Sequence, residues 1–189
     1  MKIYKPIHLL YDIAPQKVLV INKLFSEHEG IPLQSDGDFK IALVRYSPDI
    51  YFNNGVEIGK LFQDEVFEPL VMTNYKFLAL LLICSTNPLI LFSDFSFKND
   101  DDIEESEENR TYIKDLIDSD QKIDRSFEFL KDIEQRISRI ELTIESPKNR
   151  VVFYSNGNVG LSDSFAKTYF NVVFQLVEFL FTGSLPNEK

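Results

Sequence analysis

The sequence predicts an α+β fold in which antiparallel β-hairpins pack against amphipathic and apolar helices. Three observations predict this class. Short apolar or alternating segments flank two Asn-Gly pairs, apolar residues elsewhere recur every three or four positions, and 44% of the 189 residues are hydrophobic. Alternation is typical of half-buried strands, whereas spacings of three and four are typical of helices that bury one face. A chain of this length buries roughly 70% of its unfolded surface, which is enough for a core without disulfides.

A strand, a helix and a second strand are predicted first. Residues 2–12 surround Pro6 and are interpreted as an edge strand, because proline is tolerated there. Residues 15–29 begin with a proline, carry apolar residues on one face and are followed by Gly30, which predicts a capped helix. Residues 39–46 are apolar and β-branched in the manner of a strand.

A hairpin is predicted after this strand. Residues 50–52 and 56–58 are apolar or alternating, and they flank Asn53-Asn54-Gly55. A tight primed turn favours Asn-Gly because both central residues need positive φ.

Two helices and a strand follow. Residues 61–67 form a short predicted helix that ends before Pro69. Thr73 or Asn74 is then placed to cap a strongly apolar helix that runs to about residue 86. Residues 89–97 are interpreted as a strand.

The net charge is concentrated in one segment. Residues 99–120 contain ten acidic and two basic residues, whereas the rest of the chain contains 20 acidic and 18 basic residues. Like charges resist packing, so we interpret the segment as a connector between two α+β halves, residues 1–98 and 121–189, that share one core. The alternative is a docking strip for a basic partner. Its contact residues would be Asp100, Asp101, Asp102, Glu104, Glu105, Glu107 and Glu108.

The second half begins with an amphipathic helix. Its apolar residues recur from Ile123 to Ile137 at spacings of three and four. Residues 139–146 then alternate as a strand, although a continuing helix also fits them.

A second Asn-Gly hairpin and a last helix complete the chain. The hairpin is centred on Asn156-Gly157. Asp163 or Ser164 is placed to cap a helix over residues 165–182, and Gly183 to end it. Because only a narrow stripe of this helix is polar, it is either the central core helix or it buries a second face against a partner chain.

Both halves can be described as helix, three strands, helix, which indicates a weak internal duplication. Residues 41–48 and 140–147 share Ile, Leu, Ser and Pro in register. The alternative is that any strand that ends in a Ser-Pro turn before a hairpin has this pattern. A true duplication requires the two Asn-Gly pairs to lie in equivalent hairpins.

Composition and motifs exclude several kinds of chemistry. One Cys and two His cannot form a disulfide or a structural zinc site within the chain. Cys84 ends the apolar run of residues 77–84, where a thiol is usually buried. No Gly-rich phosphate loop and no Gly-x-Ser-x-Gly motif occurs. We therefore predict no catalytic residue, metal or cofactor.

The sequence instead favours a non-enzymatic protein-interaction module, such as an inhibitor, an immunity-type protein, a chaperone or an adaptor. Arg and Tyr are enriched at interface hot spots, and one turn region combines them with Asn. Its candidate contact residues are Arg45, Tyr46, Asp49, Tyr51, Asn53 and Asn54. The expected partner is another protein with a basic surface. Nucleic acid is not expected, because the sequence has no concentrated basic surface.

Two other function classes stay open. A carboxylate-based, divalent-metal-dependent enzyme requires Asp36, Asp38, Asp49 or Glu57 to converge in one pocket. A structural subunit requires self-association through residues 165–182.

The expected location is the cytoplasm. The first six residues combine two lysines with a proline, which does not fit the start of a signal peptide. The apolar run of residues 77–84 is shorter than the roughly 20 residues that a membrane-spanning helix needs.

Overall fold

The computed structural model describes residues 1–10, 15–27, 33–34, 40–98, 107–108, 111–112, 115 and 136–183. Its strands are β1 Lys2–Leu9, β2 Leu33–Gln34, β3 Ile41–Arg45, β4 Phe67–Pro69, β5 Ile90–Lys98, β6 Arg136–Ile144, β7 Ser146–Tyr154 and β8 Val159–Leu161. Its helices are α1 Pro15–Phe25, α2 Pro48–Asn53, α3 Gly55–Gln63, α4 Asn74–Thr86 and α5 Phe170–Thr182.

The eight strands form one sheet in which every pairing is antiparallel. The order is β2-β3-β1-β8-β7-β6-β5, and β4 also pairs with β1. Helices and an antiparallel sheet together confirm the predicted α+β class. In the described residues, no helix has the length and apolar character needed to cross a membrane.

Strand β1 lies inside the sheet, so its prediction as an edge strand is wrong. One side of β1 pairs with β3, whereas the other side pairs with β8 near its start and with β4 near its end. Pro6 falls in the gap between these two pairings, and its carbonyl accepts a hydrogen bond from the Leu70 N–H at 3.1 Å. A proline has no N–H to leave unsatisfied, so this gap accommodates it inside the sheet.

Helices cover both faces of β1 and β3, because successive side chains of a strand point to opposite faces. Ile41 and Leu43 join residues of α4 and α5 in a first hydrophobic cluster. Ala42 and Val44 join residues of α1 and α3 in a second cluster. Strands β5 to β8 add apolar side chains to the first cluster, which therefore draws residues from both sides of the 99–120 segment.

Residues 50–58 are helical apart from the junction at Asn54, so the hairpin predicted over them is wrong. Pro48 stands in the first turn of α2, where a missing N–H costs nothing. Asn54 has φ −100° instead of the positive value that a primed turn needs. Its N–H donates to the Ile50 carbonyl at 3.1 Å, and its own carbonyl accepts from the Ile58 N–H at 3.0 Å. Hydrogen bonds of helical spacing therefore cross the α2–α3 junction.

The short helix predicted over residues 61–67 is also corrected. Helix α3 begins at Gly55 and ends at Gln63, and Phe67 already belongs to β4. Ile58 is buried in the second hydrophobic cluster, and Leu61 and Phe62 pack against it. This spacing of three and four is what fixes residues 55–63 as a helix.

The boundary between helix and strand near residue 139 is resolved as strand. Strand β6 runs from Arg136 to Ile144, so the strand interpretation of the alternating segment is correct. Ile137, predicted as the last apolar residue of an amphipathic helix, belongs to this strand. The remainder of that helix, from Ile123 to residue 133, lies outside the described residues.

The predicted duplication fails at its defining test. Strand β3 is followed by two helices, whereas β6 is followed by the strands β7 and β8. The Asn156-Gly157 pair lies in the predicted hairpin, with Gly157 at φ +78°, but the Asn54-Gly55 pair joins two helices. The order helix, three strands, helix therefore does not occur in the first half.

Helix α5 ends as predicted but begins later. Gly183 caps it in the left-handed region at φ +73°, whereas residues 167–169 form a separate 3-10 turn before it. The predicted caps bind elsewhere. The Asp163 carboxylate accepts from the amino group of Met1 at 2.8 Å, and the Ser164 hydroxyl donates to the Lys148 carbonyl at 3.1 Å.

The apolar residues of α5 lie mainly in the core. Val173, Leu176, Val177 and Leu180 are buried, and no large apolar side chain within residues 165–182 is fully exposed. Most of α5 is therefore part of the core, and self-association through residues 165–182 stays a prediction.

Candidate docking surface

The six residues of the predicted aromatic turn region lie together at the end of β3 and along α2. The structure divides them into two groups. Arg45, Tyr46, Tyr51 and Asn54 are partly buried, whereas Asp49 and Asn53 are exposed. The six residues therefore differ in accessibility, and their role as contact residues stays a prediction.

Arg45 is held against the body of the protein. Its guanidinium carbon lies 5.1 Å from the ring centroid of Tyr4, a cation–π contact. Its backbone N–H donates to the Asn22 side-chain oxygen at 2.9 Å. These contacts give Arg45 a structural role.

Tyr46 and Tyr51 pack against the second hydrophobic cluster. Their ring centroids are 5.4 Å apart, and Tyr51 lies 5.1 Å from the ring of Phe25. Burial raises the pKa of Tyr46, the neighbouring Tyr51 raises it further, and a hydrogen bond with Asn158 opposes both effects. The raised pKa keeps the Tyr46 phenol neutral at physiological pH, and the rings of Tyr46 and Tyr51 pack α2 against the core.

Asn54 ties the α2–α3 junction to α1. Its side-chain amide donates to the Leu24 carbonyl at 3.3 Å and to the Ile50 carbonyl at 3.0 Å. The Asn54 side chain therefore holds the α2–α3 junction against α1.

The outward face of the same helices carries exposed apolar groups. Phe52 is 74% exposed and Val56 is 70% exposed, four residues further along the chain. Exposed polar residues surround them. We define the α2–α3 surface as Asp49, Phe52, Asn53, Val56, Glu57 and Lys60, all of which are exposed.

Two glycines lie beside this surface at positions where packing within the described chain does not require glycine. A Cβ added to Gly55 or to Gly59 would meet no atom within 4 Å. Glycine inside a helix costs roughly 0.5–1 kcal/mol relative to alanine. The internal packing of the chain thus does not explain either glycine, and both leave the helix backbone open to close approach.

The sequence pattern did not predict the exposure of Phe52 and Val56 on one helix face. Their spacing of four is a helical signal, and it was outweighed by the Asn-Gly pair that lies between them. In a strand the two side chains would point to one face of a sheet and would be expected to be covered.

The acidic candidates are described only in part. Glu107 and Glu108 are exposed and helical. Asp100, Asp101, Asp102, Glu104 and Glu105 lie outside the described residues.

The structure describes only two of the four carboxylates that the metal-enzyme hypothesis requires. Asp49 and Glu57 are both exposed on the α2–α3 surface, whereas Asp36 and Asp38 fall outside the described part of the chain. Within that part, no group of three or more His, Cys, Asp and Glu side chains could hold a metal ion.

The lone cysteine is embedded in α4. Cys84 packs against the first hydrophobic cluster, and burial raises the pKa of its thiol to about 12. The thiol is therefore protonated at neutral pH and is a poor nucleophile.

A scan of protein-family models, a search of curated proteins and a search of solved structures each gave no match.

Proposed function

We propose that the protein is a non-enzymatic protein-interaction module that binds its partner through the α2–α3 surface. The exposure of Phe52 and Val56 carries this proposal. Phenylalanine is enriched at protein–protein interfaces, and contiguous exposed apolar side chains mark contact sites more often than isolated ones do.

The charges around this apolar pair define the partner. Asp49 and Glu57 lie on the α2–α3 surface, and the exposed Asp64 and Glu65 follow directly after α3, whereas Lys60 is the single cation in residues 48–65. A complementary partner presents an apolar pocket with basic side chains around it. Complementary charge of this kind mainly accelerates association and excludes wrong partners.

The glycines add a geometric argument. With hydrogen in place of Cβ at Gly55 and Gly59, a partner backbone or a flat side chain can approach the helix closely. Phe52 then acts as a projecting anchor beside helix backbone that carries no Cβ at Gly55 and Gly59. This combination favours a specific contact over a general solubilising surface.

The acidic segment is a second element of the proposal. Its carboxylates, including Glu107 and Glu108, would steer a basic partner toward the protein over a range of about one Debye length, roughly 8–10 Å in physiological salt. An inhibitor, an immunity-type protein, a chaperone or an adaptor would all use such a surface. The cytoplasmic location is part of this proposal.

Paired affinity captures test the docking surface. We expect the double variant Phe52→Ser, Val56→Ser to lose at least tenfold in affinity for partners captured by the native chain. The matched control is Leu91→Ser, which removes a 53% exposed apolar side chain on β5 instead. Because all three side chains are exposed, the melting temperatures of both variants should stay within a few degrees of that of the native protein. Equal recovery of the same partners by native and double-variant protein contradicts the proposal.

The acidic segment is tested separately. Neutralising residues 100–108 should slow association and reduce its salt dependence while leaving the dissociation rate nearly unchanged. Surface plasmon resonance with a captured partner at two salt concentrations measures both rates. An unchanged association rate removes the segment from the proposal and leaves the α2–α3 surface standing.

A further inference from the structure

A cleft of about 480 Å³ opens where the start of α4 meets the ends of β5 and β6 and the β7–β8 turn. Its polar lining includes Thr73, Tyr75, Lys98, Arg136, Ser155 and Asn156. None of these residues belongs to the α2–α3 surface, so the cleft is independent of the proposed function.

The walls of the cleft are fixed by hydrogen bonds. The Asn74 side-chain oxygen accepts from the Ile137 N–H at 3.1 Å and joins α4 to β6. The Asn156 side-chain oxygen accepts from the Asn158 N–H at 3.0 Å and stabilises the β7–β8 turn. The cleft is therefore built before any ligand arrives.

Two cations face each other at this cleft. Lys98 and Arg136 are direct cross-strand partners in the β5–β6 pairing. Directly opposed residues have Cβ atoms about 4.5–5.5 Å apart, and like charges in that position destabilise a sheet. Of the described residues that line the cleft, none is acidic. A chain with net charge −10 thus places two cations side by side, with no carboxylate among the described lining residues.

We propose that the cleft binds a small phosphate monoester, with its phosphoryl group between Lys98 and Arg136. A dianion balances the two cations and relieves their repulsion. A guanidinium donates to two phosphoryl oxygens at once, and a lysine ammonium supplies a compact charge beside it.

The rest of the lining suits the organic part of such a ligand. Tyr75 is 64% exposed and offers an aromatic face at the opening of the cleft. The hydroxyl groups of Thr73 and Ser155 provide further polar contacts. The volume falls within the roughly 300–1,000 Å³ of small-molecule sites, which is too confined for a polyanionic strand. The start of α4 adds a favourable potential for an anion.

Calorimetric titration of the full chain with phenyl phosphate tests the proposal. We expect saturable binding to the native protein and at least a tenfold loss of affinity in the double variant Lys98→Gln, Arg136→Gln. The matched control Lys148→Gln removes an exposed charge from β7 and should bind as the native protein does. Phenyl phosphate should also bind at least tenfold more tightly than benzoate, which carries one negative charge on a similar ring.

A second readout locates the ligand. Amide chemical shifts of Thr73, Tyr75 and Ser155 should move on titration, whereas those of the α2–α3 surface should not. Three results overturn the proposal: no saturation below about 10 mM, an equal loss in Lys148→Gln, or benzoate binding as tight as that of phenyl phosphate. None of these results bears on partner binding through Phe52 and Val56, so the two proposals fail separately.

Discussion

Lys5 is the residue with the least ordinary environment in the described chain. It lies on β1 at the gap between β4 and β8, is only 9% exposed, and its ammonium donates to the Asn156 carbonyl. Burial lowers the pKa of this ammonium to about 8. The hydrogen bond to Asn156 favours the charged form and offsets part of that effect. Lys5 therefore supports the β7–β8 turn at a cost in desolvation.

The cost at Lys5 predicts a pH dependence of stability. An unfolded lysine holds its proton up to its ordinary pKa of 10.5, whereas the folded one releases it near 8. Between these values the unfolded state binds more protons, so the free energy of unfolding rises with pH, by at most about 3 kcal/mol. Lys5→Met should remove this rise.

Urea denaturation at several pH values from about 7.5 to 9.5 measures the effect. The difference in slope between native and Lys5→Met protein isolates the contribution of this lysine from that of the other titratable groups, which both proteins share. Parallel slopes would falsify the assignment.

Gly157 is the one described glycine whose replacement meets the backbone. Its φ is +78°, and an added Cβ would lie 1.8 Å from the Leu70 carbonyl oxygen. Gly157→Ala should therefore destabilise by about 3 kcal/mol or more, from left-handed strain and steric overlap together.

Gly59 supplies the control, because a Cβ there meets nothing within 4 Å. Gly59→Ala should stabilise by roughly 0.5–1 kcal/mol through its helix position. Chemical denaturation measures the free energy of unfolding of both variants. Equal effects from the two substitutions would show that the close approach of Leu70 to Gly157 is wrongly described.

At the scale of elements, a local signal and a tertiary contact compete for the same residues. Asn-Gly predicts a hairpin at both Asn54-Gly55 and Asn156-Gly157, but only the second pair forms one. In the first, the proline in the opening turn of α2 and the burial of Ile58 stabilise helices on either side of Asn54. At the start of helix α4, by contrast, the local signal predicts the structure correctly. The Thr73 side-chain oxygen accepts a hydrogen bond from the Lys76 N–H at 3.3 Å, so the predicted cap is confirmed.

The β5–β6 pairing predicts a stabilising charge reversal. Lys98→Glu places a carboxylate opposite Arg136 and replaces repulsion by attraction, which should raise the free energy of unfolding by about 0.2–1 kcal/mol. Lys148→Glu, at an exposed position of β7, should change it less. Thermal melting at low salt compares the two, and the difference should shrink at high salt. A lower melting temperature for Lys98→Glu contradicts the opposed arrangement of the two cations.

At the scale of the whole molecule, β1 joins the two parts of the sheet. It pairs with β3 on one side and with β8 on the other, so strands from residues 2–98 and from residues 136–161 form a single layer. The first hydrophobic cluster draws on both parts as well. The two proposed sites carry opposite charge: the α2–α3 surface is mostly acidic, whereas the described lining of the cleft has two cations and no acid.

The sequence by itself determined what depends on neighbouring residues. Apolar runs located α4, β3 and β5, alternation located part of β6, and residue type fixed the Thr73 cap, the Gly157 turn and the Gly183 helix end. The sequence also identified Arg45, Tyr46 and the residues that form α2 as one region. Each of these features is decided within a few residues, by backbone conformation or by one buried face.

Only the tertiary structure decided which side chains remain exposed. Strand β1 is internal because β4 and β8 share its second edge, and no local pattern encodes partners that are more than 50 residues away. Phe52 and Val56 are exposed, and Tyr51 and Asn54 are partly buried, because α2 and α3 pack against the second cluster. Lys98 and Arg136 are separated by residues 99–135 and became opposed only when β5 paired with β6. The burial of a side chain and the pairing of charges across two strands depend on contacts between distant residues. A single sequence does not determine these contacts by local pattern.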